Sequence, residues 1–458
     1  MGRGRARAEA LAVPGVPFLL ALAVRIWWVR HWILPPYGDQ PSLERYAARV
    51  AHGLFYGTHG AYWPPAFIFF AGGLERLFGT GHAELAVRSA DAVLGALCAA
   101  VTADLARRLF HHAWAGLAAG LLWALYVPAV YYTDAFLGVT LGTLLLVACC
   151  DAAVAYGERP GAARLAAAGV LLGLGTLCKP TELPLIVPMF LQWGLRAERG
   201  FAWRFALASA GVALGIALLL NVPWTVRNLA VTGAPVFVDM NGGVNFYIAH
   251  NPAATGMFVA LGPDNPVLLS GCGYDCPGTG TVALRAGASY FLAHPGADAR
   301  QAARILRWFW TERDPDIPHF GGLLVRLAAL LHDPVPGFGG LRDLALLGAA
   351  AWLPRWRRVV LLPLTALGQS AGLALLFFAP RFRLPVEPLL AVSAGWGAVC
   401  IASAVARAWR AGRPRSAAGG GTPLPSGRAA RRVEVAAAHA GGDGLHAVRG
   451  VELAEEVL

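Results

Sequence analysis

The sequence predicts an all-α polytopic membrane protein, and three observations carry this prediction. Of the 458 residues, 57% are hydrophobic and only 14% are charged, a balance that soluble globular domains do not have. The hydrophobic residues fall into apolar runs close to the roughly 20 residues that a helix needs to cross a bilayer. Arginines gather in every second loop between these runs, which is typical of cytoplasmic loops. A soluble globular protein is therefore excluded.

The apolar runs predict about ten membrane-spanning helices. They lie at 11–34, 87–106, 113–132, 135–156, 163–178, 183–195, 203–222, 340–353, 358–378 and 385–406. Arg3, Arg5 and Arg7 place the N-terminus in the cytoplasm, because short cytoplasmic loops collect basic residues. The later inside loops agree, with Arg107, Arg108, Arg159, Arg164, Arg196, Arg199, Arg204, Arg355, Arg357 and Arg358. Both termini are therefore expected in the cytoplasm.

The first outer loop, 35–86, is predicted to carry two interfacial helices. The stretch 62–79 is apolar, but counting it as a span would turn Arg107 and Arg108 outward. Trp63 at its start and the prolines that follow suit a helix in the headgroup layer. Ser42–His52 is an amphipathic stretch of the same kind.

This topology divides the chain into four parts. Residues 1–222 form an N-terminal membrane module that includes the outer loop 35–86, and 223–338 form a mixed outer segment between spans seven and eight. Residues 339–408 supply the C-terminal membrane helices, and 409–458 form a tail rich in Gly, Ala and Arg that we expect to be disordered and cytoplasmic. The net charge of +11 comes from arginines facing anionic lipids, so membrane lipids and not nucleic acid are the expected partners.

The cysteines are informative in one place. Cys272 and Cys276 share a Gly-rich outer segment, where a disulfide is the preferred interpretation and a zinc site the weaker alternative, since nearby ligands are scarce. The other five cysteines lie in apolar runs, as small core residues do.

Basic residues also occur where the topology makes them unexpected, at outer ends of spans and close to prolines. They are Lys179, Arg227, Arg381 and Arg383. Each alone is explained by a side chain that reaches from the lipid to the headgroup layer. Together they predict a site for an anion anchored in the membrane, either a lipid phosphate or a lipid pyrophosphate, because guanidinium binds phosphate with two hydrogen bonds.

Carboxylates on the same side suggest what such a site does. Asp39 follows a proline turn at the exit of the first span, Glu44 comes shortly after it, and Asp134 lies in a short outer turn, where a helix cap is the alternative role. If a sugar is attached to a polyprenyl phosphate, the phosphate is a good leaving group that cations can stabilise. One carboxylate is then enough to take the proton of the attacking hydroxyl.

A second polar element lies in the outer segment, at Asn241, Gly242, Gly243 and Asn245. Paired glycines with flanking Asn allow close backbone approach and hydrogen bonds to a polyol such as a sugar. A tight turn between strands is the alternative.

The order of short motifs resembles a known family. The motifs are Asp39 with Tyr46, Trp63-Pro64-Pro65, Phe78-Gly79, Arg107-Arg108-Leu109-Phe110, Asp134, Lys179, Pro223-Trp224-Thr225-Val226-Arg227-Asn228, Asn241-Gly242-Gly243 and Arg381-Phe382-Arg383-Leu384-Pro385. From about 11 to 408 the chain is similar to the bacterial dolichyl-phosphate-mannose protein mannosyltransferases and aminoarabinose transferases, which are GT-C glycosyltransferases.

The resemblance implies a polyprenyl-phosphate sugar donor, an acceptor at the outer face, and inversion at the anomeric carbon. It also implies a bacterial inner membrane protein whose active site faces the periplasm or the cell exterior. Asp39 matches the catalytic acidic position of the first outer loop, and Asp134 matches that of the second. Many relatives have two adjacent acids closely followed by Tyr, whereas Asp39 precedes Gln40 and the Tyr comes at 46.

That departure leaves the base to be either Asp39 or Glu44, and a divalent metal ion stays open as a cofactor. Tyr46 joins the Asn-Gly-Gly element as a candidate for binding sugar or acceptor. Two other functions remain: a transporter of lipid-linked oligosaccharide or solute, motivated by Arg25 and Asp91 within spans, and a polymerase or ligase of surface polysaccharide. The sugar, the acceptor and the oligomeric state are not predicted.

Overall fold

The structure is a computed structural model, and the described residues are 2–31, 38–54, 61–195, 200–233, 235–262, 265–268, 273–274, 276, 278–311 and 337–411, with side chains from Leu11 to Arg410. Within these ranges the regular secondary structure is helical, apart from an isolated parallel β-bridge between Met257 and Phe378. The all-α prediction is confirmed. Residues 1–408 form one compact unit, and the tail from 412 lies outside the described residues.

The N-terminal module is built from apolar helices of very different lengths. They are α1 Gly2–His31, α4 Ala83–Phe110, α5 Ala113–Ala124, α6 Val127–Tyr131, α7 Val139–Glu158, α8 Ala162–Cys178, α9 Ile186–Gly194 and α10 Trp203–Thr232. Glycines allow these helices to approach closely. A Cβ atom on Gly120 of α5 would come within 2.6 Å of Pro17 in α1 and within 2.8 Å of Ala103 in α4, so only glycine fits this contact.

Five helices are long and apolar enough to cross a membrane: Leu11–His31, Thr80–Phe110, Val139–Glu158, Trp203–Thr232 and Pro380–Arg410. Three shorter apolar helices accompany them: Ala113–Ala124, Ala162–Cys178 and Leu361–Ala374. The protein is therefore a multi-pass membrane protein. Each of the ten predicted runs is helical over at least part of its length. Length alone does not test the full count of ten or the cytoplasmic placement of both termini.

The first outer loop contains the two predicted helices, α2 Gln40–Ala51 and α3 Pro65–Phe78. Their apolar faces bury Leu43 and Tyr46 of α2 against Phe67 and Ile68 of α3. A Cβ atom on Gly72 of α3 would lie 2.6 Å from the Ala47 carbonyl oxygen, so the two helices are in direct backbone contact.

The described outer segment contains three helices, joined by turns and irregular stretches. They are α11 Asn241–Ala249, α12 Thr279–Ala293 and α13 Pro295–Thr311. The alternative of a tight turn between strands at the Asn-Gly-Gly element is wrong, because these residues begin α11. The physical reason is a local cap: Asp239 Oδ1 accepts the backbone N–H of Gly242 at 3.1 Å. Cys276 is disulfide-bonded, and its predicted partner Cys272 lies outside the described residues.

The C-terminal part adds α14 Phe338–Trp352, α15 Trp356–Val359, α16 Leu361–Ala374, α17 Pro380–Arg383 and α18 Glu387–Ala411. Gly395 of α18 rests on α5, where an added Cβ atom would lie 2.7 Å from the Ala115 carbonyl oxygen. The last long helix therefore packs back onto the first module.

Charges inside the helices find partners within the protein. Asp104 forms intrahelical ion pairs with Arg107 and Arg108. Arg25 is fully buried, and its guanidinium donates to the Ala124 carbonyl oxygen at 3.0 Å. A backbone carbonyl thus accepts a hydrogen bond from this buried arginine.

Candidate functional site

The ends of the helices that were predicted to face outward meet around one cavity of about 330 Å³. Its walls come from the starts of α2, α3, α7 and α11, the end of α8, the second half of α16, and the Arg381–Pro385 segment. The wall is mostly apolar and holds a small set of polar side chains: Asp39, Lys179, Thr181, Glu182, Asp239, Asn241, Asn245, Gln369 and Arg381. An apolar cleft of this size with few converging polar groups is typical of a ligand site.

Asp39 and Arg381 form an ion pair at this cavity. Asp39 stands at the N-cap of α2, and its backbone carbonyl accepts the N–H groups of Ser42 and Leu43 at 3.0 and 3.1 Å. An Asp in this position commonly caps its own helix through its side chain. Here the side chain makes no cap, and Oδ2 instead accepts Arg381 Nη2 at 2.8 Å. The carboxylate is therefore directed into the cavity.

Lys179 and Glu182 also line the cavity, in the turn between α8 and α9. Lys179 ends α8, and a 3₁₀-helix, Pro180–Leu185, carries Glu182. The Glu182 side chain is almost fully buried, with 2% of the residue exposed. Burial lowers the pKa of Lys179 and raises the pKa of Glu182, because both charged forms lose solvation at this wall.

The end of α10 holds the third polar part of the cavity wall in place through hydrogen bonds to its backbone. Trp224 Nε1 donates to the Val238 carbonyl oxygen at 2.7 Å, and Asn228 Nδ2 donates to the Val236 carbonyl oxygen at 3.1 Å. Between them, Thr225 Oγ1 donates to the Phe237 carbonyl oxygen at 2.8 Å. The Trp-Thr-Val-Arg-Asn motif thus donates hydrogen bonds to three consecutive backbone carbonyls, at 236–238. These bonds fix the backbone just before Asp239.

Asp239 and the first turn of α11 present polar atoms to the cavity. Burial raises the pKa of Asp239 to about 7, while the backbone N–H groups of Gly242 and Asn241 oppose the shift. Asn241 Oδ1 is buried without a hydrogen-bond partner among the described residues. Asn241, Gly242 and Asn245 line the cavity, so this wall offers a carboxyl and two amides to a polar ligand.

Comparison with known proteins adds a family to this geometry. A family model described as dolichyl-phosphate-mannose-protein mannosyltransferase matches residues 63–226. No curated protein sequence matches the chain. Among solved structures, the apo oligosaccharyltransferase of Archaeoglobus fulgidus aligns with a TM-score of 0.54 and 15% identity, over 88% of this chain and 52% of that one.

A second structure of that organism's oligosaccharyltransferase AglB, in complex with an inhibitory peptide and a dolichol-phosphate, aligns over 89% of this chain with a TM-score of 0.53 and 15% identity. The chain is thus similar to a mannosyltransferase family over residues 63–226 and to an oligosaccharyltransferase fold over most of its length. At 15% identity the structural likeness concerns the fold. The chain spans about half the length of the archaeal proteins, with 52% of each covered.

The acidic positions expected of a GT-C protein are not all at the cavity. Asp134 is buried and paired with Arg88, whose Nε lies 3.2 Å from Asp134 Oδ1. Glu44 accepts a hydrogen bond from Gln40 Nε2 at 2.8 Å and is absent from the cavity wall. Tyr46 is buried between α2 and α3. Of the predicted acids, the structure brings only Asp39 to the cavity, while the other two lie in nearby ion pairs or hydrogen bonds.

The predicted cations divide in the same way. Lys179 and Arg381 line the cavity. Arg227 stacks over the Trp224 ring at 5.0 Å and hydrogen-bonds Asn228, so it supports the α10 motif. Arg383 is fully buried and donates to Glu387 Oε1 at 2.8 Å.

Gly243, a predicted sugar-binding residue, packs against Gly280, where an added Cβ atom would lie 2.0 Å from the Gly280 carbonyl oxygen.

Four polar residues of the cavity were not identified from sequence: Thr181, Glu182, Asp239 and Gln369. Glu182 follows Lys179 by three residues, a spacing that places both on one side of a 3₁₀ turn. Asp239 stands two residues before Asn241. Gln369 interrupts an apolar run, and a lone polar residue in a span is itself a functional signal. Among the described residues, no group of three or more His, Cys, Asp or Glu side chains is arranged to hold a metal ion.

Proposed function

We propose that this protein is a membrane glycosyltransferase that transfers a sugar from a polyprenyl-phosphate donor to an acceptor at the outer face of the membrane. The transfer inverts the configuration at the anomeric carbon. One observation carries the proposal: Asp39, Arg381 and Lys179 meet at a single, largely apolar cavity. The matching mannosyltransferase family and the archaeal oligosaccharyltransferase fold support glycosyl transfer as the reaction class. The archaeal structure that contains a dolichol-phosphate supports the donor class.

The cavity suits a lipid phosphate because it joins two kinds of surface. Leu137, Leu373, Leu376 and Phe382 line its apolar part and would hold the first isoprene units by burial of apolar surface. Lys179 and Arg381 would bind the phosphate oxygens, and their charges would stabilise the negative charge that develops as the phosphate leaves.

Asp39 is the proposed base. In the structure its carboxylate is held by Arg381 at 2.8 Å. A donor phosphate offers Arg381 a competing anion, which leaves Asp39 able to accept a proton. The acceptor hydroxyl then gives its proton to Asp39 while its oxygen bonds to the anomeric carbon. The bond from that carbon to the phosphate oxygen breaks, and the phosphate keeps the electron pair.

The remaining polar wall is assigned to hydroxyl groups. Asp239, Asn241 and Asn245 supply hydrogen-bond acceptors and donors for the sugar or the acceptor. Asp134, Arg227 and Arg383 are assigned to support, since each is paired within the protein near the cavity. Glu44 remains the second candidate for the base, at the next turn of α2 from Asp39. No step is routed through a metal ion.

The positive-inside pattern of the loops supports an inner membrane protein of a bacterium with the cavity on the periplasmic or extracellular side. The donor would then be reached from the outer leaflet. A cysteine placed at Asp343, which is exposed at the start of α14, should react with a membrane-impermeant maleimide in intact cells. Failure to label it there, together with labelling after lysis, would reverse the assigned orientation.

The direct test of function is sugar transfer in proteoliposomes. The purified protein is supplied with polyprenyl-phosphate mannose and with mixed cell-envelope acceptors, and labelled products are identified by mass spectrometry. We expect transfer in the wild type and in Glu44→Gln, and a loss in Asp39→Asn. Release of free polyprenyl phosphate without any glycosylated product would contradict the proposal, and so would lipid movement across the membrane without chemistry.

A further inference from the structure

Lys179 and Glu182 place a basic and an acidic side chain close together at the wall of the cavity. Glu182 Oε1 is buried without a hydrogen-bond partner in the described part of the chain. The Lys179 ammonium likewise has no hydrogen-bond partner there, although its backbone N–H donates to the Gly175 carbonyl oxygen at 2.6 Å. Both residues line the cavity. A ligand that enters therefore meets both of them.

Two glycines make room for this pair. A Cβ atom on Gly142 of α7 would lie 3.2 Å from Lys179 Cε and 3.5 Å from Glu182 Oε1, so both side chains rest on the same glycine. A Cβ atom on Gly175 of α8 would lie 2.2 Å from Glu182 Oε2, a distance no real atom could keep. The facing helices are thus shaped around a buried carboxyl beside an ammonium.

Charge counting shows what happens when a phosphate arrives. Arg381 already pairs with Asp39, and Lys179 is the other cation of the cavity wall. A phosphodiester at Lys179 places an anion next to the Glu182 carboxyl, in a site where burial weakens screening. Wherever Glu182 is charged before binding, its neutral form is then favoured, which is the route that buried carboxyls generally take.

We propose that Lys179 and Glu182 form a proton-coupled phosphate site, in which Glu182 takes up one proton as a lipid phosphodiester binds Lys179. The proposal rests on the proposed donor and specifies how the same site binds it. Glu182 does not touch the reacting atoms, so it is a positioning residue that acts through Lys179. Donor binding consequently weakens as the solution becomes more alkaline.

The other charged and titratable groups around the pair have been considered. Arg381, Asp39 and Asp239 line the same cavity. Cys178 is the neighbour of Lys179 on α8, Asp91 reaches the same region from α4, and Cys149 and Cys150 approach from α7. The raised pKa of Glu182 has burial as its main cause, with Lys179 opposing it. Asp239 is the one alternative carboxyl on the cavity wall whose pKa is also raised.

The test measures protons and not catalysis. The full-length protein in detergent is titrated with farnesyl methyl phosphate, a phosphodiester without a sugar that carries one negative charge throughout the range used. Calorimetry is repeated in buffers of different ionisation enthalpy from roughly pH 6 to 9, which gives the number of protons taken up. We expect the uptake to rise toward one proton on the alkaline side, where Glu182 has lost its proton in the empty cavity, because burial raises the pKa of this carboxyl. The affinity should fall there by up to about tenfold per pH unit.

Three variants make the assignment specific. Glu182→Gln, permanently neutral, should bind the diester without proton uptake and without pH dependence. Glu182→Asp keeps a titratable carboxyl and should keep the uptake. Asp239→Asn is the matched control, since it removes the other carboxyl of raised pKa and should leave the uptake unchanged.

The outcomes separate the inference from the proposed function. Tight binding without net proton uptake in the wild type overturns the inference and leaves the donor class standing, and this result does not depend on whether a variant folds. Uptake that persists in Glu182→Gln, or that vanishes in Asp239→Asn, also overturns it. If the wild type does not bind the diester at all, the proposed donor falls and the inference falls with it.

Discussion

Two arginines separated by one residue, Arg381 and Arg383, belong to different regions of the molecule. Arg381 lies at the cavity, where its partner Asp39 is partly exposed, with side-chain exposures of 17% and 29% for the pair. Arg383 points into the helical core, where it and Glu387 are 0% and 1% exposed. An ion pair that a ligand can reach can exchange partners, whereas a pair sealed in the core can only hold the fold together.

The same contrast separates the two ends of the helices. At the end that carries Arg108, its Nε lies 3.1 Å from Asp151 Oδ1 and its Nη1 lies 3.8 Å from Glu158 Oε2, while Asp104 joins from its own helix. Those charges pair with one another. At the cavity end, Glu182 and Asn241 line a space that a ligand can enter, and each has a buried oxygen atom without a hydrogen-bond partner in the described structure. Such atoms also occur elsewhere, as at Asp151 Oδ1, so access from the cavity distinguishes the candidate site.

The largest expected effect is on chemistry at the cavity pair. Asp39→Asn keeps the shape of the side chain but removes the proposed base, so transfer should fall by about 100-fold to 10,000-fold. The melting temperature should hardly change, because the wild-type pair is partly exposed. Initial rates in proteoliposomes and thermal melts in detergent measure the two quantities. A variant that keeps full activity would remove Asp39 from the mechanism.

The core pair should behave in the opposite way. Arg383→Gln leaves the Glu387 carboxyl buried without its cationic partner, which should destabilise the fold by about 3–5 kcal/mol. The measured quantity is the melting temperature of the purified protein. Transfer per folded molecule should stay close to that of the wild type. An Arg383 variant that melts normally but no longer binds donor would instead place this arginine in the phosphate site.

Arg381→Gln is the matched variant at the cavity. It removes one charged hydrogen bond to the proposed phosphate, which is worth about 1.5–3 kcal/mol, or roughly 10-fold to 100-fold in donor KM. The fold should remain intact. Donor titrations of the initial rate provide the measurement, and an unchanged KM would mean that Arg381 serves only to hold Asp39.

Asp239 offers a pH test of the same contrast. Its pKa is about 7 in the folded protein and lies near 3.8 ordinarily, so between these values the folded state retains a proton that the unfolded state has lost. Stability should therefore fall as pH rises from about 4 to about 7, and the cost should remain above pH 7. Asp239→Asn should abolish this slope and melt at a higher temperature than the wild type at alkaline pH. The gain in the free energy of unfolding should be about 1 kcal/mol, because the side chain is only partly buried. Parallel slopes for both proteins would show that Asp239 is charged in the fold.

The smallest expected effect concerns the support of the third wall. Trp224→Phe keeps the aromatic ring but removes the hydrogen bond to the Val238 carbonyl, at a cost of about 1 kcal/mol. Asp239 should then be held less firmly, and the acceptor KM should rise a few-fold while the donor KM stays constant. Trp356→Phe, at an exposed position outside the cavity, is the control.

Much of the fold follows from the sequence because it depends on periodicity and hydrophobicity. The stretch after Trp63 was predicted as a helix, and α3 begins at Pro65, where a proline is well tolerated. The predicted ends of the spans also indicated residues of the site. Asp39, Lys179 and Arg381 were selected because they stand at outer ends of spans, and all three line the cavity.

The rest of the site depends on which side of a helix faces the cavity, and the position of a residue at a helix end does not determine that. Arg383 stands beside Arg381 in the sequence, yet its side chain enters the core. Glu182 was missed for a related reason. Its importance comes from burial against Gly142 and Gly175 on two other helices, and such burial is a property of tertiary packing, which a single sequence does not display.

The ion pair of Asp39 and Arg381 joins residues 342 positions apart in the chain. Ribosomes deliver the first of these residues to the membrane long before the second. Until the last helices are inserted, the carboxylate has no guanidinium beside it and the proposed phosphate site lacks one of its two cations. A nascent or truncated chain should consequently be inert toward lipid-linked sugars, so that completion of synthesis itself decides when the protein becomes competent.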